Sequence, residues 1–300
     1  NMAAHMLSCD KELLKKALLS RVINTGQGDK METYISPNNL VQADASRDAL
    51  AKTIYSRIFD LLIERTNVAL GRYQLPFSCV IGVLDIYGFE IFKNNGFEQF
   101  CINYVNEKLQ QYFIELTLKT EQEEYNAEGI QWTPIKYFNN KVVCDLIEGK
   151  QPPGLFSILD DVCYTMHAQG GGLDNKFVEK GSGIHSTNIH YRGTDGAFEI
   201  KHYAGEVMYT VEGFCERNKD SITNDLIEAV QSSQINLLRS LFPEDTSAKQ
   251  SKRPTTSGFK IKTSAQALIQ KLSECSPHYI RCIKPNETKK AKDWDEDRVK

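Results

Sequence analysis

One short stretch constrains this chain most, because it places charged side chains at the end of an apolar segment: Val83-Leu84-Asp85-Ile86-Tyr87-Gly88-Phe89-Glu90. The preceding Cys79–Leu84 is apolar and small, which is typical of a central strand covered on both faces. The strand pattern breaks at Asp85 and Gly88, and a long helical pattern follows. A carboxylate, a glycine and a second carboxylate at the carboxyl edge of a parallel strand suit the sensing of phosphate and metal.

The pattern Asp-x-x-Gly-x-Glu has a simpler interpretation as an ordinary turn between a strand and a helix. The next part of the sequence decides between the two, because the stretch runs into Asn103-Tyr104-Val105-Asn106-Glu107-Lys108-Leu109-Gln110-Gln111-Tyr112-Phe113. Together the two segments resemble the switch II loop and relay helix of a myosin motor. The tyrosine at position 87, within the switch, resembles the residue found there in class I-type unconventional myosins. The resemblance covers nearly the whole chain, from Ala3 to Trp294.

The resemblance implies an α/β fold, part of a P-loop NTPase-type motor domain. Such a domain has a central, twisted, mostly parallel sheet with long surrounding helices. The implied cofactors are ATP and Mg²⁺. Asp85 would hold the metal through water, and the Gly88 N–H would donate to the γ-phosphate. Glu90 would pair with an arginine of switch I and close the site behind the attacking water.

The loop that would hold the nucleotide does not occur in this sequence. The pattern G-x-x-x-x-G-K-[ST] is absent, and Thr25–Lys30 only superficially resembles it, because Asp29 separates Gly28 from Lys30. We therefore expect the chain to be a fragment of an actin-activated myosin ATPase that hydrolyses no ATP on its own. The alternative is a non-catalytic actin-binding fragment or module. A third reading, a P-loop NTPase outside the myosins, is disfavoured by the continuous match.

Composition agrees with a globular protein of the cytoplasm. The eight cysteines form no C-x-x-C pair, and several lie in apolar segments, which indicates reduced, packed thiols. Apolar runs stay well short of the ~18 residues that span a bilayer, and we expect no signal peptide. A formal net charge of −3 predicts no polyanion partner. The resemblance adds the actin-rich cortex as the location.

Periodicity and capping residues predict the local elements. A helix is expected over Cys9–Val22 with Asp10 as its N-cap, then a polar loop over Ile23–Asn39, and then a helix capped by Ser46 or Asp48. A long helix from Phe97 to about Glu124 corresponds to the relay helix, and Trp132 lies in the relay loop that follows it. Strand patterns are found at Phe198–Val207 and, closed by Pro285, at Pro277–Asn286.

By resemblance, the chain divides into five segments. An upper actin-cleft part with a regulatory loop is expected at 1–78, and the switch II and relay unit at 79–135. A lower actin-cleft subdomain follows at 136–241 and a basic surface loop at 242–263. The last segment, 264–300, would be a helix and a sheet strand leading toward the converter.

A basic run suggests a partner surface. Between Thr246 and Ser273 there is no acidic residue, and the basic side chains are Lys249, Lys252, Arg253, Lys260, Lys262 and Lys271. A solvated, flexible loop is the simpler interpretation. Docking onto an acidic surface is the functional one, and the position resembles the myosin loop that meets filamentous actin. Nucleic acid is disfavoured, because no aromatic residue interleaves with the basic cluster before Ser257.

The segment Gly154–Ala168 resembles the helix-loop-helix of the lower actin-binding cleft. Its tip, Thr165-Met166-His167-Ala168, is predicted to contact actin. The side chains of Phe156, Ile158 and Leu159 are predicted to be core.

A regulatory position is also implied. Counting back sixteen residues from Asp48-Ala49-Leu50-Ala51-Lys52 gives Glu32, where class I-type myosins are acidic or phosphorylatable. Glu32 would supply permanent negative charge, and the neighbouring Thr33 keeps phosphorylation open. A calmodulin-like light chain and membrane lipid are further partners expected for the parent protein, through regions outside this sequence.

Overall fold

The computed structural model describes most of the chain: residues 2–25, 32–71, 79–133, 136–165, 172–219, 222–246, 255–280, 285–286, 288 and 290–296. Side chains are not described at 21–25, 32–33 and 165.

The described residues contain helices separated by two small sheets. The helices are α1 (Met2–Met6), α2 (Lys11–Leu19), α3 (Leu40–Gly71), α4 (Phe97–Phe113), a π-helical segment (Ile114–Lys119), α5 (Thr120–Ala127), α6 (Lys141–Glu148), α7 (Leu155–Thr165), α8 (Leu173–Ile184), α9 (Phe214–Asn218), α10 (Asn224–Gln231), α11 (Asn236–Ser240) and α12 (Ser257–Ser273). The strands are β1 (Ser20–Thr25), β2 (Glu32–Pro37), β3 (Tyr191–Thr194), β4 (Ala197–His202) and β5 (Gly205–Thr210).

The N-terminal helices pack on α10 and α11 around a small apolar core. Asp10 caps α2 as predicted, since its carboxylate accepts from Leu13 N. The helix α3 begins earlier than the predicted caps Ser46 and Asp48. Asn39 and Gln42 exchange side-chain-to-backbone hydrogen bonds at 2.9 and 3.1 Å, and this reciprocal cap starts the helix at Leu40.

The loop predicted over residues 23–39 is wrong for most of its described residues, which belong to two strands. Strands β1 and β2 pair antiparallel from Ser20 opposite Pro37 to Thr25 opposite Glu32. Its polar, glycine-containing sequence lacks the apolar alternation that signals a strand, so pairing between the two strands decides the conformation here.

The larger core lies between α4, helices α6 to α9, α12 and the antiparallel sheet β3-β4-β5. Phe100 of α4 is fully buried at its centre, with its ring 5.1 Å from Phe156 and 5.5 Å from Tyr209. Phe156, Ile158 and Leu159 are buried, which confirms them as core residues. The strand predicted at Phe198–Val207 is confirmed up to His202 as β4, but the chain then turns at Tyr203 and Ala204 and returns antiparallel as β5.

The long helix predicted from Phe97 is confirmed as a continuous helical run. It starts at Phe97, is α-helical to Phe113, passes through the π segment and ends at Ala127. Gly96 and Gln99 form its N-terminal cap, because the Gln99 amide oxygen accepts from Gly96 N at 2.9 Å.

The strand predicted at Cys79–Leu84 is not found. The described segment forms no strand, and Val80, Ile81 and Val83 are 86%, 95% and 92% exposed. The predicted mostly parallel sheet is likewise absent from the described residues, where both sheets are antiparallel and the parallel pairing is one isolated bridge between Asn95 and Tyr209. A central strand needs hydrogen-bonding neighbours on both sides, and the described residues provide none for this segment.

The C-terminal elements also differ from the sequence prediction. Residues 276–280 form no strand, and the centre of the predicted Pro277–Asn286 strand, 281–284, lies outside the described residues. The helix α12 begins at Ser257, capped by Thr256, so it takes over the end of the predicted 242–263 loop. Among the described helices, none combines the length and apolar character needed to cross a membrane.

Candidate functional site

The stretch from Asp85 to Glu90 belongs to no helix or strand, and it packs against the larger core at Phe89. The Asp85 side chain is exposed, and a Cβ added at Gly88 would meet no heavy atom of the described structure within 4 Å. Phe89 packs against the β4–β5 turn, where the centre of its ring lies 5.1 Å from that of His202 and 5.5 Å from that of Tyr203. Glu90 is half-buried at this point. The part from Asp85 to Gly88 therefore offers an exposed carboxylate and an accessible backbone, whereas Phe89 and Glu90 are held against the protein.

Asn103 in the second turn of α4 holds the main chain of Glu90. Its Oδ1 accepts from Glu90 N at 2.8 Å, and its Nδ2 donates to Glu90 O at 2.8 Å. Asn106, one turn later, donates to Tyr87 O at 2.9 Å. The Gln99 amide donates to Glu90 Oε2 at 3.4 Å. Three side-chain amides of α4 thus hold the stretch on this helix. A displacement of Glu90 would therefore act directly on α4.

The residues after Glu90 are anchored to strand β5. The Asn95 amide nitrogen donates to Met208 O at 3.0 Å, and Thr210 N donates to Asn95 O at 2.9 Å. Asn95 also closes its own turn, since its Oδ1 accepts from Phe92 N at 2.8 Å. Glu90 therefore lies between two fixed points, one on α4 and one on β5.

Several of these site residues were not singled out from the sequence. Asn103 and Glu107 are four residues apart in α4, on the same face as Phe100 and Tyr104, and all four are buried. Polar side chains at helical spacing inside an apolar stripe are the signal that finds them, because buried polar groups require partners. Asn95, His202 and Tyr209 carry no comparable local signal.

The two predicted relay residues lie at opposite ends of the helical run. Phe97 is buried at the start of α4, with its ring 5.5 Å from that of Phe214. Trp132 is half-buried beyond α5. Its indole N–H donates to Asn126 Oδ1 at 3.2 Å, and its ring lies edge-on 5.6 Å from Tyr125. The loop aromatic is thus attached to the end of the helix and would follow its movement.

The predicted actin-contacting residues fall mostly outside the described part of the chain. Thr165 is the last residue of α7, and Met166, His167 and Ala168 lie beyond the described residues, as do Lys249, Lys252 and Arg253. Lys271 lies in α12 and is exposed. The regulatory candidates Glu32 and Thr33 belong to β2, where only the backbone is described.

The seven cysteines described are free thiols, four of them buried, and burial raises the pKa of Cys101 and Cys144 above its ordinary range. No three His, Cys, Asp or Glu side chains of the described residues come together as a metal-binding group. The chemistry of Asp85, an exposed carboxylate, suits a Mg²⁺ ion that takes its other ligands from water and phosphate.

Comparison with known proteins gives the family. Residues 1–300 match the family model described as myosin head (motor domain). The chain is 63% identical over 303 residues to a myosin IB heavy chain of Dictyostelium discoideum, which covers 100% of this chain and 27% of the relative. It is 64% identical over 292 residues to myosin heavy chain IB of Acanthamoeba castellanii, covering 96% and 26%. A myosin-5 of Candida albicans is 52% identical over 305 residues, covering 100% and 23%.

The chain therefore spans about a quarter of the length of these curated relatives. The two myosin IB matches confirm the resemblance to class I-type myosins, and the chain belongs to the myosin head (motor domain) family.

Proposed function

We propose that this chain is part of an actin-based motor that couples Mg-ATP hydrolysis to movement on filamentous actin. Family membership over residues 1–300 supports the proposal. The observation that carries it is the pair of hydrogen bonds between Glu90 and Asn103, because they attach the candidate nucleotide sensor to the long helix that would transmit its movement.

Three residues would contact or face the nucleotide. Asp85 would hold Mg²⁺ through water, Gly88 N–H would donate to the γ-phosphate, and Glu90 would pair with a switch I arginine and orient the attacking water. The open backbone at Gly88 and the exposed carboxylate of Asp85 fit these roles. Bound Mg-ATP supplies the phosphoryl group and most of the charge that the site must stabilise. What this chain contributes is positioning, which is the larger part of catalysis in such sites.

The exposed apolar segment supports the finer fold proposal. Val80, Ile81 and Val83 face solvent in this chain, and an exposed run of apolar side chains marks a surface that is covered by other parts of a protein. We infer that Cys79–Leu84 becomes a strand of a central, mostly parallel P-loop NTPase-type sheet when its neighbouring strands are present. The predicted division into five segments stays part of this proposal.

Movement of Glu90 would reach the Trp132 loop through one helical run. The run begins at the buried Phe97, and the Trp132 loop is attached to its far end. The structural route from the sensor to Trp132 is therefore continuous, as relay of a conformational change requires.

The actin-facing surface is proposed at two places. The tip Thr165–Ala168 would make apolar contacts, and Lys249, Lys252, Arg253 and Lys271 would dock electrostatically on the acidic filament. Glu32 or Thr33 would regulate this contact through negative charge. A light chain, membrane lipid and a location in the cytoplasmic cortex are expected for the parent protein.

This chain alone is proposed to be inactive as an ATPase, because the P-loop amides, lysine and hydroxyl are not in its sequence. The second candidate is an actin-binding module without catalysis. Its support is the basic run between Lys249 and Lys271.

Co-sedimentation with filamentous actin, with and without Mg-ATP, separates the two candidates. A protein carrying this chain with a P-loop and switch I should pellet without ATP, be released by ATP and hydrolyse it faster with actin. If the same amount of protein pelleted with and without Mg-ATP, the actin-binding module would be supported instead. Neutralising Lys249, Lys252 and Arg253 should weaken pelleting at low salt, whereas neutralising the exposed Lys11, Lys15 and Lys16 of α2 is the matched control.

A further inference from the structure

The Asn103 side chain that holds Glu90 is the end of a buried polar chain. Asn103 Nδ2 donates to Tyr209 Oη at 2.9 Å, Tyr209 Oη lies 2.8 Å from His202 Nε2, and His202 Nδ1 lies 2.7 Å from Glu107 Oε2. The side chains of Glu107 and His202 have no exposed surface, and Asn103 and Tyr209 are also fully buried. The chain thus runs from α4 into the β4–β5 hairpin and back to α4.

With His202 as a neutral imidazole, the hydrogens of these bonds have one consistent direction. Asn103 Nδ2 uses one hydrogen on Glu90 O and the other on Tyr209 Oη, so the tyrosine hydroxyl is free to donate to His202 Nε2. The ring hydrogen of His202 then lies on Nδ1 and points to Glu107. Burial raises the pKa of Tyr209, which keeps its hydroxyl a donor.

The far end of the chain is fixed as firmly as the near end. Asn140, directly before α6, donates from Nδ2 to Glu107 Oε1 at 2.7 Å and to Glu107 O at 2.8 Å. The backbone of Tyr203 donates to Glu107 Oε2 at 3.4 Å. A buried carboxylate that accepts from several donors is held in one position, so Glu107 provides a fixed acceptor for His202.

We propose that Glu107, His202 and Tyr209 are positioning residues, which through Asn103 hold the main chain of Glu90 where hydrolysis requires it. This inference rests on the proposed function for its catalytic consequence. The geometric part stands on the hydrogen bonds alone. Loss of the Tyr209 hydroxyl removes a partner of Asn103, and loss of a link farther along leaves Tyr209 less well held, so in both cases Asn103 holds Glu90 less firmly.

The test uses Tyr209→Phe in a protein that carries this chain together with a P-loop and switch I. The variant removes one hydroxyl and keeps a ring that stacks on Phe198 at 5.2 Å. The matched control is Tyr191→Phe, since Tyr191 is also buried and also stacks on Phe198, at 6.0 Å, but is not a link in the chain. His202→Asn breaks the same link from the other side, because the shorter amide stays near Glu107 and leaves Tyr209 without its acceptor.

Two readouts are needed. Hydrogen exchange of the Glu90 amide, followed by mass spectrometry, should become about tenfold faster in Tyr209→Phe and His202→Asn, as expected for one weakened buried hydrogen bond. The kcat for ATP should fall about tenfold while ATP affinity stays unchanged, since positioning acts on the reaction step. Combining both substitutions should add little, because they interrupt one chain.

The proposal is overturned if Glu90 exchange in both variants matches that in Tyr191→Phe, or if kcat falls no further than in that control. A wild-type protein that hydrolyses no ATP would refute the proposed function. Faster Glu90 exchange in the two variants would still support the positioning chain, so the two failures are distinguishable.

Discussion

The guanidinium of Arg57 lies 4.1 Å from the centre of the Phe242 ring. The same group donates to Leu241 O at 2.7 Å and to Glu244 Oε2 at 2.9 Å. One side chain of α3 therefore binds a π face, a carbonyl and a carboxylate of the segment that precedes the basic run. This contact fixes the start of that segment on the N-terminal core.

The ion pair between Arg57 and Glu244 predicts a pH dependence of stability. The hydrogen bond from Arg57 holds the pKa of Glu244 below its ordinary value of 4.5. A lowered carboxylate pKa means that the pair stabilises the fold above that value and that this stability is lost as the pH falls through the folded pKa. Glu244→Gln should therefore lower the free energy of unfolding at pH 7, by less than about 1 kcal/mol because the pair is partly exposed.

Urea unfolding at neutral pH and well below 4.5 measures this effect. The difference between wild type and Glu244→Gln should shrink at the lower pH, where the carboxyl group is protonated in both states. The control is Asp145→Asn, which breaks an exposed pair with Lys141 within one helix and should cost about 0.3–0.5 kcal/mol. A difference that stays constant between the two pH values would contradict the assignment.

Two glycines of α8 should respond oppositely to alanine. A Cβ at the buried Gly181 would lie 2.7 Å from Tyr191 Oη and 3.6 Å from Leu155 Cδ2, so Gly181→Ala should destabilise by about 1–3 kcal/mol through overpacking. Gly183 is exposed, and no described atom lies within 4 Å of an added Cβ. Gly183→Ala should stabilise by about 0.5 kcal/mol, because it lowers the entropy of the unfolded chain. Thermal unfolding of both variants measures this, and equal shifts would refute the packing argument.

Replacing Glu90 tests its catalytic role. In a protein with a complete nucleotide site, Glu90→Ala should reduce ATP hydrolysis at least about 100-fold and leave ATP binding intact, because the carboxylate acts on the attacking water. Single-turnover hydrolysis and nucleotide affinity are the measurements. Glu12→Ala, at an exposed position of α2, is the control. An unchanged hydrolysis rate would remove Glu90 from the mechanism.

Trp132 should report the movement of the helical run. Within this chain it is one of two tryptophans, so Trp294→Phe, together with Phe at every tryptophan elsewhere in the complete protein, leaves it as the single indole fluorophore. ATP should change its emission in the complete protein, since its N–H bonds to Asn126 at the end of α5. Trp132→Phe, which keeps only Trp294, should abolish the change. If a hydrolysing protein showed constant Trp132 emission, the relay assignment would be wrong.

Local patterns were sufficient for much of the helical fold. The long apolar stripe that starts at Phe97 predicted the relay helix, and Asp10 predicted the start of α2, because both signals lie within a few residues. The start of α3 was missed, since a cap made of two amides, Asn39 and Gln42, is a weaker sequence signal.

Other features depend on residues that are far apart in the sequence. Cys79–Leu84 has the composition of a strand, but strand formation requires neighbours, and the described residues offer none. Glu107 and His202 are ninety-five positions apart. Their sequence context shows a polar residue in a helix and another at the end of a strand, and only the fold brings them into contact.

The π segment Ile114–Lys119 changes the direction in which side chains point from one end of the helical run to the other. Its wider turns insert residues relative to an ideal α-helix, so side chains before and after it do not share one continuous face. Shortening the segment by one residue would turn α5, and the Trp132 loop attached to it, by roughly 100° about the helix axis. The side on which α5 presents Asn126, and with it the Trp132 loop, is therefore set by the number of residues in the segment, and a change of length there acts as a rotation.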